Sequence, residues 1–195
     1  MLNGEPYSSK ISTDDAYVIC LDGAKVWADE RCVRYDEIVG DFDSLGYVPD
    51  GARVYPCEKD YSDGEIGLKI LIEKQVELIE IYGGTGKRED HFFCNVGLLL
   101  QAFESGVNAV FYSDYTEFFI ADGKVCLKEK VGTYVSVVPI TKKVHIINSE
   151  GLKYPLDNLT LHCGESRGLS NVTVANDVAF ELDEGRAIIF IVRKL

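Results

Sequence analysis

The chain has 195 residues, 46% of them hydrophobic and 27% charged, the proportions of an ordinary soluble fold with length enough to bury a substantial core. Thirty-two acidic against twenty basic side chains leave a formal charge of −12, which argues against a basic face that grips nucleic-acid phosphates. No apolar run reaches the ~20 residues of a membrane helix, and the first residues lack the basic and apolar regions of a signal peptide, so a cytoplasmic protein without a membrane partner is expected.

Residues 16–21 form a short apolar run that stops at Asp22-Gly23, predicting a strand and a turn. Ile38-Val39 is a second strand leading into Gly40-Asp41-Phe42-Asp43-Ser44, and residues 52–55 are a third. If extended backbone persists to Asp43, the alternation of side chains puts Asp41 and Asp43 on one side. Ser62-Asp63-Gly64-Glu65 has the Ser-x-x-Glu form of a capping box, and Ile66, Leu68, Ile70, Leu71 and Ile72 continue it as a helix despite Gly64 and Gly67. Residues 76–82 predict a strand, cut off by Gly83-Gly84-Thr85-Gly86. A helix over 90–104 follows, with Phe92, Val96, Leu99, Leu100 and Phe103 in one apolar stripe, then a strand over 107–112. This alternation predicts an α/β domain with a mainly parallel sheet, assigned to residues 1–122.

From about Thr116 the pattern changes. Short β-type runs follow one another at 118–121, 125–127, 134–139, 144–147, 159–162, 172–174, 178–182 and 187–192, and Asp122-Gly123 predicts a hairpin turn between the first two. Residues 123–195 therefore read as an all-β domain of sandwich or jelly-roll type. The six cysteines form no CxxC pair and only three histidines accompany them, so the thiols are expected to be reduced and mostly buried rather than zinc ligands. Trp27 is expected to pack in a core or at an interface.

In α/β sheets ligands gather at the carboxyl ends of the strands. Four acidic or glycine-rich points fall at such ends: Asp22-Gly23, Asp41-x-Asp43, Lys59-Asp60-x-Ser62-Asp63, and the run from Gly83 to His91. Each alone has a plainer account, as a turn, a loop cap, a helix cap or a glycine turn. Their joint placement is harder to assign to caps. Two adjacent carboxylates repel unless a proton or cation neutralises them, and hard oxygen ligands suit Mg²⁺. Gly83 and Gly84 let backbone N–H groups approach a phosphate at a helix N-terminus, Arg88 offers a planar fork to phosphate oxygens, and Asp90 offers another metal ligand. The spacing is neither that of a Walker A loop nor that of a Rossmann fingerprint. His91 is a candidate base or nucleotide contact, a structural hydrogen-bond donor being the plainer reading.

Taken in order, Gly40-Asp41-Phe42-Asp43-Ser44, Lys59-Asp60-Tyr61-Ser62-Asp63 with Glu65, and Gly83-Gly84 with Arg88-x-Asp90-His91 and Asn95 resemble the thiamine pyrophosphokinase family. In the β-half, Gly151-Leu152-Lys153-Tyr154-Pro155-Leu156 and Gly168-Leu169-Ser170-Asn171 extend the resemblance over nearly the whole chain. The chain departs from the family pattern in having Asp22-Gly23-Ala24 where Asp-Gly-Gly-Ala is usual, and almost no first strand ahead of Asn3-Gly4-Glu5-Pro6. The resemblance implies an enzyme that moves the pyrophosphoryl group of ATP onto the hydroxyl of thiamine and releases AMP. It also implies a homodimer with the active site at the subunit or domain junction. Carried over by position, Asp41, Asp43, Asp63 and Asp90 are catalytic and hold Mg²⁺. Asp22, Ser44, Lys59, Ser62, Gly83, Gly84, Arg88, His91 and Asn95 are expected to contact ATP or its phosphates, and Ser170 and Asn171 thiamine. Asp63 or Asp90 is expected to accept the hydroxyl proton. Two rivals stand beside this reading. A haloacid-dehalogenase-like phosphatase would use Asp41 as nucleophile but needs a full doubly wound domain. A non-catalytic nucleotide- or metal-binding module leaves the Ser170-Asn171 segment unexplained.

Overall fold

The computed structural model describes residues 1–194, which divide into two compact units, the first Met1–Asp114 and the second beginning at Tyr115. The first unit runs β1 (Ile19–Leu21), α1 (Ala24–Glu30), β2 (Glu37–Gly40), β3 (Arg53–Val54), α2 (Asp63–Glu73), β4 (Leu78–Tyr82), α3 (Glu89–Glu104) and β5 (Asn108–Tyr112). β1, β2 and β3 pair in parallel in that order, as do β4 and β5. An α/β unit with parallel pairing is what the alternating pattern predicted.

Met1 and Leu2 tie the two groups of strands together. The Met1 α-amino group donates to the Ile19 carbonyl at 2.8 Å, Leu21 N–H donates to the Met1 carbonyl at 3.0 Å, and Leu2 N–H donates to the Tyr82 carbonyl at 2.8 Å. Beside these two residues a cavity of about 600 Å³ opens, lined by residues 16–18 ahead of β1, Ile19 and Leu21 of β1, Leu78–Tyr82 of β4, and Leu68, Leu71 and Leu98 of the helices.

The turn expected at Asp22-Gly23 is present, and a short helix the pattern does not predict, α1, follows it directly. Its seven residues are too few to display a helical period in sequence. Ala24, Trp27 and Ala28 are buried in a cluster with Cys20, Ile38 and Phe42, and Trp27 Nε1 donates to the Leu2 carbonyl at 3.1 Å. In α2 the predicted capping box is present: Glu65 N–H donates to Ser62 Oγ at 3.2 Å, and Ser62 N–H to Glu65 Oε2 at 2.9 Å. A Cβ at Gly67 would stand 3.0 Å from the Leu21 methyls, so this glycine lets α2 lie close on β1 and offsets its helix-propensity cost of ~1 kcal/mol. The buried face of α3 is Leu98, Leu99 and Ala102. Of the expected stripe only Leu99 is fully buried; Phe92, Val96, Leu100 and Phe103 flank that face half-buried.

The second unit is antiparallel throughout: β6 (Thr116–Lys128), β7 (Tyr134–Pro139), β8 (Lys143–Glu150), β9 (Leu159–His162), β10 (Asn171–Val172) and β11 (Asp177–Val192). β11 pairs with β6, β7 and β8, β9 adds to β8, and β10 adds to β7. Asp122-Gly123 is not a hairpin turn. β6 runs through it, and Gly123, at φ +64°, pairs with Leu182 where the β6–β11 ladder slips before Ala187. The runs 178–182 and 187–192 are likewise one strand, with Gly185 at φ +81° in the slip. Such a bulge bends a strand without ending it. It lets β11 pair with β8 on one side of the bend and with β7 on the other. Val135, Val144, Ile146, Leu161, Phe180 and Ile189 fill the core of this unit.

All six cysteines are free, but only Cys20 is buried. The expectation of mostly buried thiols fails for a local reason in β6, where Cys126 alternates outward between buried Val125 and Leu127. Among the described residues no helix is long and apolar enough to cross a membrane.

Candidate active site

Asp22, Asp41 and Asp43 each bring a carboxylate oxygen to within 4.8 Å of the others. They meet because β1 and β2 are neighbouring parallel strands, with Leu21 opposite Val39, and end side by side. Asp22 leaves β1 at φ +45°, its N–H bonded to the Val39 carbonyl at 2.8 Å. β2 ends at Gly40, so the strand alternation expected to align Asp41 with Asp43 is absent. Instead Phe42, at φ +62° and 2% exposed, drives its ring into the core and leaves an acid on either side of it. Asp43 N–H donates to Asp41 Oδ1 at 3.3 Å, closing the turn.

Asp22 is 8% exposed. Its Oδ2 accepts from Ser44 Oγ, and Asn3 Nδ2 donates to the same hydroxyl at 3.3 Å, while Asp22 Oδ1 is buried with no hydrogen-bond partner. A buried carboxylate oxygen left bare is costly, the more so beside two further carboxylates. Hard, anionic oxygens clustered this closely fit a divalent cation such as Mg²⁺.

Lys59 reaches in from the loop before α2. Its Nζ donates to Asp41 Oδ2 at 2.7 Å and stands 3.2 Å from Asp63 Oδ1, at the first turn of that helix. The Lys59 bond holds Asp41 below the usual carboxylate range. Burial works against the charge on Lys59, but its bonds to Asp41 and Asp63 outweigh this and raise its pKa. Burial raises the pKa of Asp63, and Asp41 and Asp22 add repulsion in the same direction.

These groups wall a cavity of about 660 Å³, with Gly84, Gly86, Lys87, Arg88, His91 and Asn95 on its rim. The glycine loop is held by the amino-terminal segment: Gly4 N–H donates to the Gly83 carbonyl and Glu5 N–H to that of Thr85, both at 2.6 Å. Asn95 Nδ2 donates to the Gly84 carbonyl at 3.1 Å, and Lys87 Nζ to the Asn3 carbonyl at 3.2 Å. Asp90 stands apart from the acidic cluster. Its exposed carboxylate is forked by Arg88, with Nε at 3.1 Å, which lowers its pKa to about 2. His91 is exposed, and its backbone N–H donates to Asp90 Oδ1 at 2.9 Å. The Ser62 hydroxyl is engaged in the helix cap.

Ser170 and Asn171 belong to the second unit. Ser170, at φ +57°, donates its N–H to Ser136 Oγ at 3.0 Å. Asn171 is buried and spans the strand-to-loop contact: Nδ2 donates to the Tyr154 carbonyl at 2.7 Å, and Oδ1 accepts from the N–H groups of Tyr154 and Val172. The structure puts Asp22 with the acids rather than with the expected phosphate contacts, and makes Asn3, which no sequence motif marks, a support of Ser44. An Asp closing each of two successive apolar runs was the available signal.

An acidic, lysine-bearing cleft thus lies at the strand ends of the α/β unit, and an all-β unit follows it along the chain. The profile described as thiamin pyrophosphokinase, catalytic domain, matches residues 9–111, and that described as thiamin pyrophosphokinase, vitamin B1 binding domain, matches residues 124–186. The chain belongs to the thiamin pyrophosphokinase family. It is 28% identical over 159 residues to a thiamine pyrophosphokinase of Bacillus subtilis, covering 76% of this chain and 74% of that one. Over 199 residues it is 26% identical to thiamin pyrophosphokinase 1 of Caenorhabditis elegans, covering 91% and 82%. The crystal structure of thiamin pyrophosphokinase from Geobacillus thermodenitrificans superposes with a TM-score of 0.81 at 27% identity, covering 94% of this chain and 89% of the other.

Proposed function

We propose that this chain catalyses transfer of the pyrophosphoryl group of ATP to the hydroxyl of thiamine, giving thiamine diphosphate and AMP. The observation that carries the reading is the convergence of Asp22, Asp41 and Asp43 around a buried, unpartnered carboxylate oxygen in a family whose members are named for this reaction. The thiamine hydroxyl oxygen attacks the β-phosphorus, the bond to the α–β bridging oxygen breaks, and AMP departs. Transfer of this kind asks the protein for positioning and charge compensation more than for covalent work.

Mg²⁺ would be held by Asp41, Asp43 and Asp22, with Asp63 beside them, and would neutralise charge on the phosphate oxygens. Lys59, Lys87 and Arg88 supply cationic donors to the phosphates around the same cavity. Asp63, whose pKa is raised by burial, is the better proton acceptor for the thiamine hydroxyl, because Arg88 holds Asp90 as a weak base. The all-β unit, taken as sandwich-like, carries the vitamin at Ser170 and Asn171. A cytoplasmic homodimer completing its sites at the subunit junction is part of this proposal.

Incubation with ATP, Mg²⁺ and thiamine tests it directly. AMP and thiamine diphosphate should form together, and only with thiamine present. Asp41→Ala and Asp43→Ala should each lower AMP release by more than about a hundredfold with the circular dichroism spectrum retained. Turnover of a phosphate monoester without AMP would favour the phosphatase, binding without turnover would favour the binding module, and an active Asp41→Ala variant would remove the metal role.

A further inference from the structure

Asp41 spends both carboxylate oxygens inside the protein: Oδ1 accepts from Asp43 N–H at 3.3 Å, and Oδ2 accepts from Lys59 Nζ at 2.7 Å. The ammonium is shared with Asp63, 3.2 Å away, and the three side chains are only 13, 13 and 22% exposed for Lys59, Asp41 and Asp63. We propose that Lys59 is a resident counter-ion of the acidic cluster, that it competes with the divalent cation for Asp41, and that nucleotide phosphates relieve this competition by giving Lys59 a new partner.

The argument is one of shared ligands. A hard divalent cation takes carboxylate oxygens at about 2.0–2.1 Å if it is Mg²⁺, and repels an ammonium that stays on the same oxygen. Asp41 therefore serves either Lys59 or the cation at full strength. Lysine suits the exchange because its charge is compact and its four-carbon stem is flexible. Asp63, four residues on, gives the ammonium a second anchor when Asp41 is taken. Lys59 also lines the cavity whose rim carries the glycine loop, so phosphates there lie within the sweep of its side chain. Without nucleotide, cation binding pulls Lys59 off Asp41 with nothing in return; with nucleotide, the released ammonium meets phosphate. Cation and nucleotide then bind with positive coupling, and the coupling is reciprocal. Without a cation the same lysine compensates Asp41 and Asp63.

This inference rests on the metal reading proposed above, so its test separates the two. Mn²⁺ binding to the full chain is followed by electron paramagnetic resonance, with and without a non-hydrolysable ATP analogue. Wild type should bind Mn²⁺ weakly alone and about tenfold or more tightly with the analogue, in the 5–150-fold range of coupled sites. Lys59→Met and Lys59→Gln should bind Mn²⁺ about tenfold more tightly than wild type without the analogue, and should lose most of the tightening it brings. Lys59→Arg, which keeps a cation in place, should stay near wild type. Unchanged nucleotide-free affinity in both Lys59→Met and Lys59→Gln, each folded by circular dichroism, would overturn the counter-ion role while leaving the metal site standing. Mn²⁺ affinity indifferent to Asp41→Asn would instead overturn the metal site itself.

Discussion

Asp63 is the acid whose surroundings most oppose its charge. Burial raises its pKa, Asp41 and Asp22 push the same way, and Lys59 is its counterweight. A folded chain that holds this proton more tightly than the unfolded chain loses stability as pH rises through the unfolded value of 3.8 towards the raised folded value, and the loss is complete above it. Asp63→Asn is therefore expected to raise the midpoint of thermal unfolding at pH 7, with the gain shrinking as pH is lowered towards 4, while turnover falls by at least about tenfold. Identical melting of variant and wild type at pH 7 would refute the destabilising role. Asp41, Asp43, Lys59 and Asp63 were legible in the sequence because each sits within a few residues of a recognisable strand or helix end. Their grouping with Asp22 was not, since only the parallel pairing of β1 with β2 reveals it.

At the scale of the element, local chemistry read well where a single turn decides the outcome. The Ser62–Glu65 box starts α2 and fixes Asp63 in its first turn. Ser62→Ala should cost about 1 kcal/mol, read as a lower midpoint of urea unfolding with an unchanged m-value. A change in m-value instead would mean that the box shapes more than the helix end. Reading failed where a turn signal serves a different purpose. Asp122-Gly123 and Asp183-Glu184-Gly185 have turn composition, yet they lie inside β6 and β11, where glycine at positive φ bends a strand that keeps its partners. Period-2 alternation on either side of such a bulge looks like two strands, because the register slip interrupts it. The helix α1 was missed for the opposite reason, having too few turns for any period to register.

For the molecule as a whole, the change from mixed to purely β patterning near Thr116 marked the two units from sequence. The contacts divide the chain after Asp114, and the expected boundary at residues 122–123 falls inside β6. The pattern could not disclose that Met1 and Leu2 hydrogen-bond to β1 on one side and to β4 on the other, since two residues carry no periodicity. Burial there lowers the pKa of the Met1 α-amino group. Five apolar β-branched residues joined ahead of Met1 would replace that amine by an amide and run into the cavity of about 600 Å³ between the two strands. They should raise the midpoint of thermal unfolding by about 4 °C or more, whereas a Gly-Ser run of equal length should not. Equal melting of the two extended proteins would show that the cavity does not accept a strand. Met1 and Leu2, bonded to β1 on one side and to β4 on the other, are thus a join between two groups of strands. A peptide joined ahead of Met1 would start beside the cavity, so the chemistry of its first few residues would decide what it does to stability.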